Sequence, residues 1–122
     1  MNWNIDRGLR LPEIIDFLAA QSADLLILQE VDLNTRRTHF LNVAKEIARK
    51  LQMNYVFGQE FQELTQGRPN SPAYHGQSTL SRWTLRNARV IRFRRQSDFG
   101  VRDGLSPGQV FFRSAWEGVS PW

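Results

Sequence analysis

The 122-residue sequence contains no cysteine, which excludes a disulfide framework, a thiol nucleophile and a thiolate metal site. With only two histidines, a zinc site is not expected, and any metal has to be held by oxygen or imidazole ligands. No apolar run approaches the ~20 residues that span a bilayer, and the N-terminus lacks the apolar stretch of a signal peptide. We therefore expect a single-domain cytoplasmic protein without a transmembrane segment.

Acidic residues become scarce in the second half of the chain. Residues 1–63 carry 7 basic and 9 acidic groups, whereas residues 64–122 carry 9 basic and 3 acidic groups, which gives the net charge of +4. The densest basic cluster comprises Arg86, Arg89, Arg92, Arg94 and Arg95. Such a cluster can bind phosphates or steer a polyanion. Alternating arginines on a solvated strand face also discourage edge-to-edge pairing, and this is the interpretation we prefer.

The most informative stretch is the apolar run from Leu25 to Leu28, which ends at Gln29 and Glu30. Four consecutive apolar residues predict a short strand buried on both faces, as in a parallel sheet covered by helices. Ligands of open α/β sheets collect at the carboxyl ends of the strands. Glu30 is therefore a candidate metal ligand or catalytic group. The alternative is that Glu30 is simply the first solvated residue after the strand.

The N-terminal segment predicts a strand, helix, strand unit. A strand ends near Ile5, a helix spans Leu11–Gln21 with a proline in its first turn, and the Leu25 strand follows in parallel to the first. This topology brings Asn4 and Glu30 to the same edge of the sheet. The further predicted elements are a helix from about His39 to Leu51 with Leu41 on its buried side, strands at Asn54–Phe57, Gln77–Arg82, Ala88–Phe93 and Gln109–Phe112, and a surface loop over Gln62–Ala73.

Three segments, in this order, resemble the endonuclease/exonuclease/phosphatase superfamily: Asn2–Gly8, Ala23–Asp32 and His75–Leu85. The leucine-rich strand that closes on Gln-Glu-Val-Asp is the most specific of them. The resemblance covers residues 1–95, the N-terminal half of such a domain, and leaves residues 96–122 as a divergent or irregular tail. It implies an α/β (α+β) fold, part of a four-layer sandwich of two β-sheets flanked by helices, and DNase I-like hydrolysis of a phosphodiester or phosphomonoester.

The same resemblance implies roles for three residues near the N-terminus. Glu30 matches the metal-binding glutamate, and Asn4 matches the strand-end asparagine that arranges the phosphate and the metal site, so both are expected to be catalytic. Asp6 matches an additional carboxylate found in some members and is expected to be a second metal ligand. The implied cofactor is Mg²⁺, with Mn²⁺ as an alternative, because these hard cations prefer carboxylate and water oxygens.

Three further residues are assigned to substrate binding by position alone: Arg37, Tyr74 and His75. The expected substrate is a phosphate ester, either a nucleic acid or a phosphorylated headgroup, and no obligate protein partner is indicated. For His75 we prefer the alternative explanation, which is that it is a loop residue before Gly76. Gln77 occupies the place where the family usually has asparagine, which lengthens that side chain by one methylene.

The later motifs of the family, including a closing Asp-His pair that activates water, lie outside the resemblance, and no Asp-His dipeptide occurs. We therefore expect a truncated fragment with an out-of-frame tail, inactive by itself. An uncovered inner sheet face and a free strand edge predict poor solubility or self-association. Two other hypotheses stay open: a non-catalytic Arg-rich polyanion- or nucleic-acid-binding module, and a pseudogene product without selected activity.

Overall fold

The computed structural model describes residues 1–92 and 110–115. The elements in chain order are β1 (Asn2–Arg7), α1 (Leu11–Gln21), β2 (Leu25–Leu33), a 3-10 turn (Arg36–Thr38), α2 (Val43–Leu51), β3 (Asn54–Arg68), β4 (Ser71–Ser81), β5 (Arg86–Arg92) and β6 (Val110–Ala115). One four-stranded sheet has the order β1-β2-β4-β3, and β5 pairs with β6 in a second sheet. The result is the mixed α+β architecture expected from the sequence.

The N-terminal strand, helix, strand unit is confirmed. β1 and β2 are parallel, with Asn4 opposite Gln29. α1 has a proline at its start and ends where Ser22 adopts a left-handed conformation, with φ of 49°. Its buried residues Ile14 and Leu18 join the core. Because a crossover between parallel strands returns the chain to the same edge, the carboxyl ends of β1 and β2 lie side by side.

Burial of β2 differs from the prediction. Leu26 and Leu28 are buried in the core beneath the helices, but Leu25 is 43% exposed and Ile27 is 38% exposed. Successive residues of a strand point to opposite faces, and α1 and α2 contribute their buried residues to the face of Leu26 and Leu28. The expectation of burial on both faces is therefore wrong for this strand.

The segment Gln62–Ala73 is a β-hairpin and not the predicted surface loop. β3 and β4 remain paired at Glu63 and Ala73 and again at Arg68 and Ser71. The prediction failed because this hairpin lacks alternating apolar residues and contains glycine and prolines, which are typical of loops. Its pairing depends on main-chain hydrogen bonds that the side-chain pattern does not encode.

The second helix begins later than predicted. His39 has a left-handed backbone, with φ of 55°, and α2 begins only at Val43. Asn42 is the N-cap, and its side-chain oxygen accepts a hydrogen bond from the Lys45 N–H at 2.9 Å. Leu41 therefore precedes the helix and is exposed, which corrects its predicted position on the buried side.

β5 and β6 confirm the two strands predicted near residues 88–93 and 109–112. Arg86 and Arg89 are exposed on β5. Phe93, Arg94 and Arg95 lie outside the described residues, as does the predicted tail of residues 96–122 apart from β6. Within the described part of the chain, no helix is long and apolar enough to cross a membrane.

Candidate active site

β1, β2 and β3 each contain a β-bulge, and these bulges lie at the same height along the strands of the four-stranded sheet. The extra residues in these bulges include Asp6 in β1, Glu30 in β2 and Glu60 in β3. Gly76 of β4 shows that the bulges of β2 and β3 are at the same height, because it pairs with the residue next to the bulge in each of these strands. A bulge bends its strand and redirects a side chain. The fold therefore places three carboxylates along one row across the sheet.

The backbone of Glu30 is strained, with φ of 51°. Asp6 and Arg7 in the neighbouring bulge also have positive φ, at 46° and 66°. Residues other than glycine that are held in such regions cost roughly 1–3 kcal/mol each and cluster at functional sites. This strain is an observation independent of any sequence motif, and two of the three residues implied by the resemblance, Asp6 and Glu30, share it.

Asn4 and Glu30 are in direct contact, as the parallel topology predicts. The Asn4 Nδ2 donates a hydrogen bond to Oε1 of Glu30 at 2.8 Å. The Asn4 Oδ1 accepts a hydrogen bond from the Asp6 N–H at 3.0 Å. The amide of Asn4 is thus bound at both ends, and it fixes the position of one oxygen of the Glu30 carboxylate.

Arg7 lies between the two exposed carboxylates. Its Nη1 is 2.6 Å from Oδ1 of Asp6 and 3.9 Å from Oε2 of Glu30. The side chains of Asp6 and Glu30 are 69% and 38% exposed. One cationic nitrogen therefore approaches both carboxylates where solvent has access. Carboxylate oxygens that leave room for water are the donors that a hard divalent cation prefers, so these residues fit such a metal.

A second polar cluster surrounds Asp32, which is fully buried. Arg37 donates two hydrogen bonds to its carboxylate, at 2.6 Å and 2.9 Å, and Thr35 donates a third at 2.7 Å. The Nδ1 of His75 lies 2.8 Å from Oδ1 of the same carboxylate, the oxygen that also accepts one of the hydrogen bonds from Arg37. Arg37 also donates to Glu63. The cluster thereby joins β2, the 3-10 turn, β3 and β4.

The charges of this cluster support each other. Burial raises the pKa of Asp32, but the hydrogen bonds from His75, Arg37 and Thr35 outweigh it and hold the pKa of that carboxyl below its usual range. The hydrogen bond to Asp32 raises the pKa of Arg37, while burial opposes this effect. Asp32 and Arg37 therefore form an ion pair at neutral pH.

The Asp32 cluster also resembles a metal site in geometry. Ligand atoms of Asp32, Glu63 and His75 all lie within 4.8 Å of one another. However, Arg37 is hydrogen bonded to both carboxylates, so a cation is already present among them. The geometry of this cluster consequently favours an internal ion-pair network.

The structure divides the predicted site residues into two groups. Asn4, Asp6 and Glu30 lie together, whereas Arg37 and His75 belong to the Asp32 cluster. Tyr74 is half-buried on β4, opposite Leu33 of β2 and Gln62 of β3. The assignment of Arg37, Tyr74 and His75 to substrate binding stays a prediction.

Sequence reasoning missed the roles of Asp32, Glu60 and Glu63. The Asp32 signal was present, because a carboxylate two residues after Glu30 continues a buried strand and needs partners. The partners of Glu60 and Glu63 come from distant segments. Gln77 donates a hydrogen bond to Oε1 of Glu60 at 2.8 Å, so this side chain, one methylene longer than the asparagine that the resemblance implies, makes a polar contact.

A sequence profile of the Endonuclease/Exonuclease/phosphatase family matches residues 1–118. No curated protein sequence matches the chain significantly. Among solved structures, the chain is similar to the crystal structure of an endonuclease/exonuclease/phosphatase from Beutenbergia cavernae DSM 12333, with a TM-score of 0.55 and 15% identity. The similarity covers 75% of this chain and 28% of that chain, so the present chain spans less than a third of that protein.

The profile match includes both polar clusters and extends beyond residue 95, where the motif-based resemblance ended. At 15% identity the structural similarity shows the fold, and the fold is that of the same family. The match gives no support to a non-catalytic polyanion-binding module. This chain belongs to the Endonuclease/Exonuclease/phosphatase family, whose members are metal-dependent phosphoesterases that hydrolyse ester bonds.

Proposed function

We propose that this chain carries the metal-binding part of a Mg²⁺-dependent phosphoesterase. Glu30 is the principal metal ligand, Asp6 is a second carboxylate ligand, and Asn4 orients Glu30 and contacts the phosphate. The observation that carries this proposal is the 2.8 Å hydrogen bond between Asn4 and Glu30, made where two adjacent strands bulge. The strained backbone of Glu30 supports it, because such strain is concentrated at functional sites.

The available oxygens match the coordination that Mg²⁺ prefers, which is one or two carboxylates completed by water. Oε1 of Glu30 is engaged by Asn4, which leaves Oε2, the oxygen nearest to Arg7, for a cation. A bound Mg²⁺ neutralises charge on a phosphoryl group and polarises it. Arg7 supplies positive charge between the two carboxylates, and we propose that its guanidinium also contacts the phosphate of the substrate.

The proposed substrate is a phosphate ester, either a nucleic acid or a phosphorylated headgroup. Its negative charge suits the cationic side chain of Arg7 beside Glu30. Tyr74, Arg37 and His75 remain proposed contacts of lower priority, because Arg37 and His75 already use polar atoms on Asp32.

Mn²⁺ titration followed by electron paramagnetic resonance tests the proposal, because Mn²⁺ binds the same hard oxygen donors as Mg²⁺. We expect Glu30→Gln to weaken Mn²⁺ binding by about 10-fold or more, since replacing even an outer-shell partner typically costs about 10–100-fold. The matched control is Glu13→Gln, which removes an exposed carboxylate of α1 that pairs with Arg10. This control should bind Mn²⁺ like the unmodified chain.

Competition completes the experiment. Mg²⁺ should displace Mn²⁺ from the unmodified chain, and Asp6→Asn should reduce affinity less than Glu30→Gln because Glu30 is the principal ligand. Equal Mn²⁺ affinity of the unmodified chain and folded Glu30→Gln would refute the proposal. Displacement by Zn²⁺ alone, and not by Mg²⁺, would refute the choice of metal.

A further inference from the structure

We infer that Asp32 is a positioning residue for Glu30: its hydrogen-bond network stabilises the bulged register of β2 in which Glu30 faces Asn4 and the proposed metal. The inference rests on the proposed function in so far as Glu30 is taken to bind metal. Its geometric part, that Asp32 maintains the backbone conformation of Glu30, stands on the register and the contacts alone.

The strain at Glu30 requires a source of stabilisation. A left-handed backbone at a residue with a side chain persists only where the surrounding structure determines it. Glu30 lies between Leu28 on one side and Val31 and Asp32 on the other, all three of them fully buried. Leu28 and Val31 supply apolar packing. Asp32 supplies hydrogen bonds, and these depend on direction, so they favour one register over its neighbours more strongly than apolar packing does.

The register of β2 shows how Asp32 selects the bulge. From Leu25 to Leu28, β2 pairs with β4 in one register, with Leu28 opposite Ser78. Continued without a bulge, that register would place Asp32 opposite Tyr74. The bulge shifts the pairing by one residue, so Asp32 is opposite His75. A shift of one residue also exchanges the faces of a strand. The Asp32 and His75 contact therefore exists only when the bulge at Glu30 exists.

The network makes this shifted register costly to lose. The carboxylate of Asp32 contacts Thr35, Arg37 and His75 through four hydrogen bonds, and Arg37 extends the network to Glu63. Removing the bulge would separate Asp32 from His75, and a buried charged group that loses a hydrogen-bond partner destabilises the fold. This penalty opposes the strain at Glu30 and maintains the bulge.

The test compares Asp32→Asn with Asp24→Asn, a matched control at the other end of β2. Asp24 also pairs with an arginine from the β4 side, with Arg82 Nε at 2.8 Å from its Oδ1, but it lies far along the strand from the bulge. We expect Asp32→Asn to weaken Mn²⁺ binding by about 10–100-fold, as for other supports of metal ligands. Asp24→Asn should leave Mn²⁺ binding unchanged.

A second readout separates positioning from general stability. The three-bond coupling between the amide and α protons of Glu30 reports its φ, and it should move toward the extended value in Asp32→Asn but not in Asp24→Asn. Folded Asp32→Asn with unchanged coupling and unchanged Mn²⁺ affinity would overturn the inference. If Asp32→Asn does not fold, the Glu30 coupling and the Mn²⁺ affinity are measured in Arg37→Lys instead. This variant keeps the positive charge but loses the paired hydrogen bonds to Asp32, so the same changes are expected.

The two readouts also distinguish the inference from the proposed function. If Asp32→Asn changes the Glu30 coupling but Glu30→Gln leaves Mn²⁺ binding unchanged, positioning by Asp32 is supported and the metal site is refuted. If Asp32→Asn leaves the Glu30 coupling unchanged but Glu30→Gln abolishes Mn²⁺ binding, the metal site is supported and positioning by Asp32 is refuted.

Discussion

Gly76→Ala should destabilise the chain strongly, because the glycine allows β3 and β4 to approach beside the row of bulges. A Cβ at this position would lie 2.0 Å from the carbonyl oxygen of Gly58 and 3.1 Å from Cα of Gln59. These atoms belong to the backbone of the paired strand and cannot rotate away as a side chain can. The two strands would have to separate by about 1 Å, which would break or weaken their hydrogen bonds.

Two opposing effects determine the size of this change. Replacing glycine by alanine reduces the entropy of the unfolded chain, which by itself stabilises by about 0.4–1 kcal/mol. Overpacking typically costs about 1–3 kcal/mol and sometimes more, and contact with backbone favours the upper end. We expect a net loss of about 2–3 kcal/mol, a large part of the roughly 5–15 kcal/mol that stabilises a typical domain.

Urea unfolding followed by tryptophan fluorescence measures this loss. Gly67→Ala is the matched control in the same hairpin, where the nearest atoms to a Cβ are the Ala73 nitrogen and the Ser71 oxygen, both at 2.9 Å. It should cost less than Gly76→Ala. If Gly76→Ala were as stable as the unmodified chain, or more stable than Gly67→Ala, the close approach of β3 and β4 at this level would be refuted.

Three further predictions concern the core, a helix cap and pH. Leu28→Ala should lower the free energy of unfolding in urea by about 2–5 kcal/mol because Leu28 is fully buried. Leu25 lies in the same strand but is exposed, so Leu25→Ala should change this free energy by less than about 1 kcal/mol. Asn42→Ala should cost about 1 kcal/mol in the same measurement, because it removes the N-cap hydrogen bond of α2; an unchanged value would contradict the cap. Burial raises the pKa of Asp32, but hydrogen bonds from His75, Arg37 and Thr35 outweigh this effect, so the pKa is lower in the folded chain than in the unfolded chain. The ionised carboxylate of Asp32 therefore stabilises the fold above the unfolded pKa, and this stabilisation is lost as pH falls through the folded pKa. The free energy of unfolding should therefore fall more steeply below about pH 4 in the unmodified chain than in Asp32→Asn, and equal slopes would contradict this.

The sequence predicted those parts of the fold whose signals are local. α1 is specified by Pro12 at its start and by apolar residues at helical spacing, and its bounds Leu11–Gln21 are confirmed. The topology that joins it to two parallel strands follows from the handedness and shortness of such connections. The contact of Asn4 with Glu30 followed from that topology without any tertiary information.

The parts that the sequence did not predict depend on contacts between distant segments. The β3 and β4 hairpin is polar, and its pairing comes from the backbone. The late start of α2 depends on a left-handed turn at His39, a conformation that histidine adopts only occasionally. Burial of Asp32 depends on Arg37, five residues later in the chain, and also on His75, which is 43 residues away and which the sequence alone does not place beside it.

The contrast between Glu30 and Asp32 indicates which carboxylate is suited to bind an exchangeable cation. Asp32 is fully buried, and a guanidinium already neutralises it, so a metal would have to displace Arg37 and break hydrogen bonds within the interior. Glu30 is partly exposed, one of its oxygens is held by Asn4, and the nearest cation approaches the other oxygen only to 3.9 Å. Binding a metal at Glu30 therefore sacrifices a weak, solvent-screened ion pair, whereas binding at Asp32 sacrifices a buried one. Asp32 lies two residues after Glu30, and the bulge shifts the register of β2 by one residue between Leu28 and Val31. Their burial thus suits the buried carboxylate to support and the exposed one to the proposed metal.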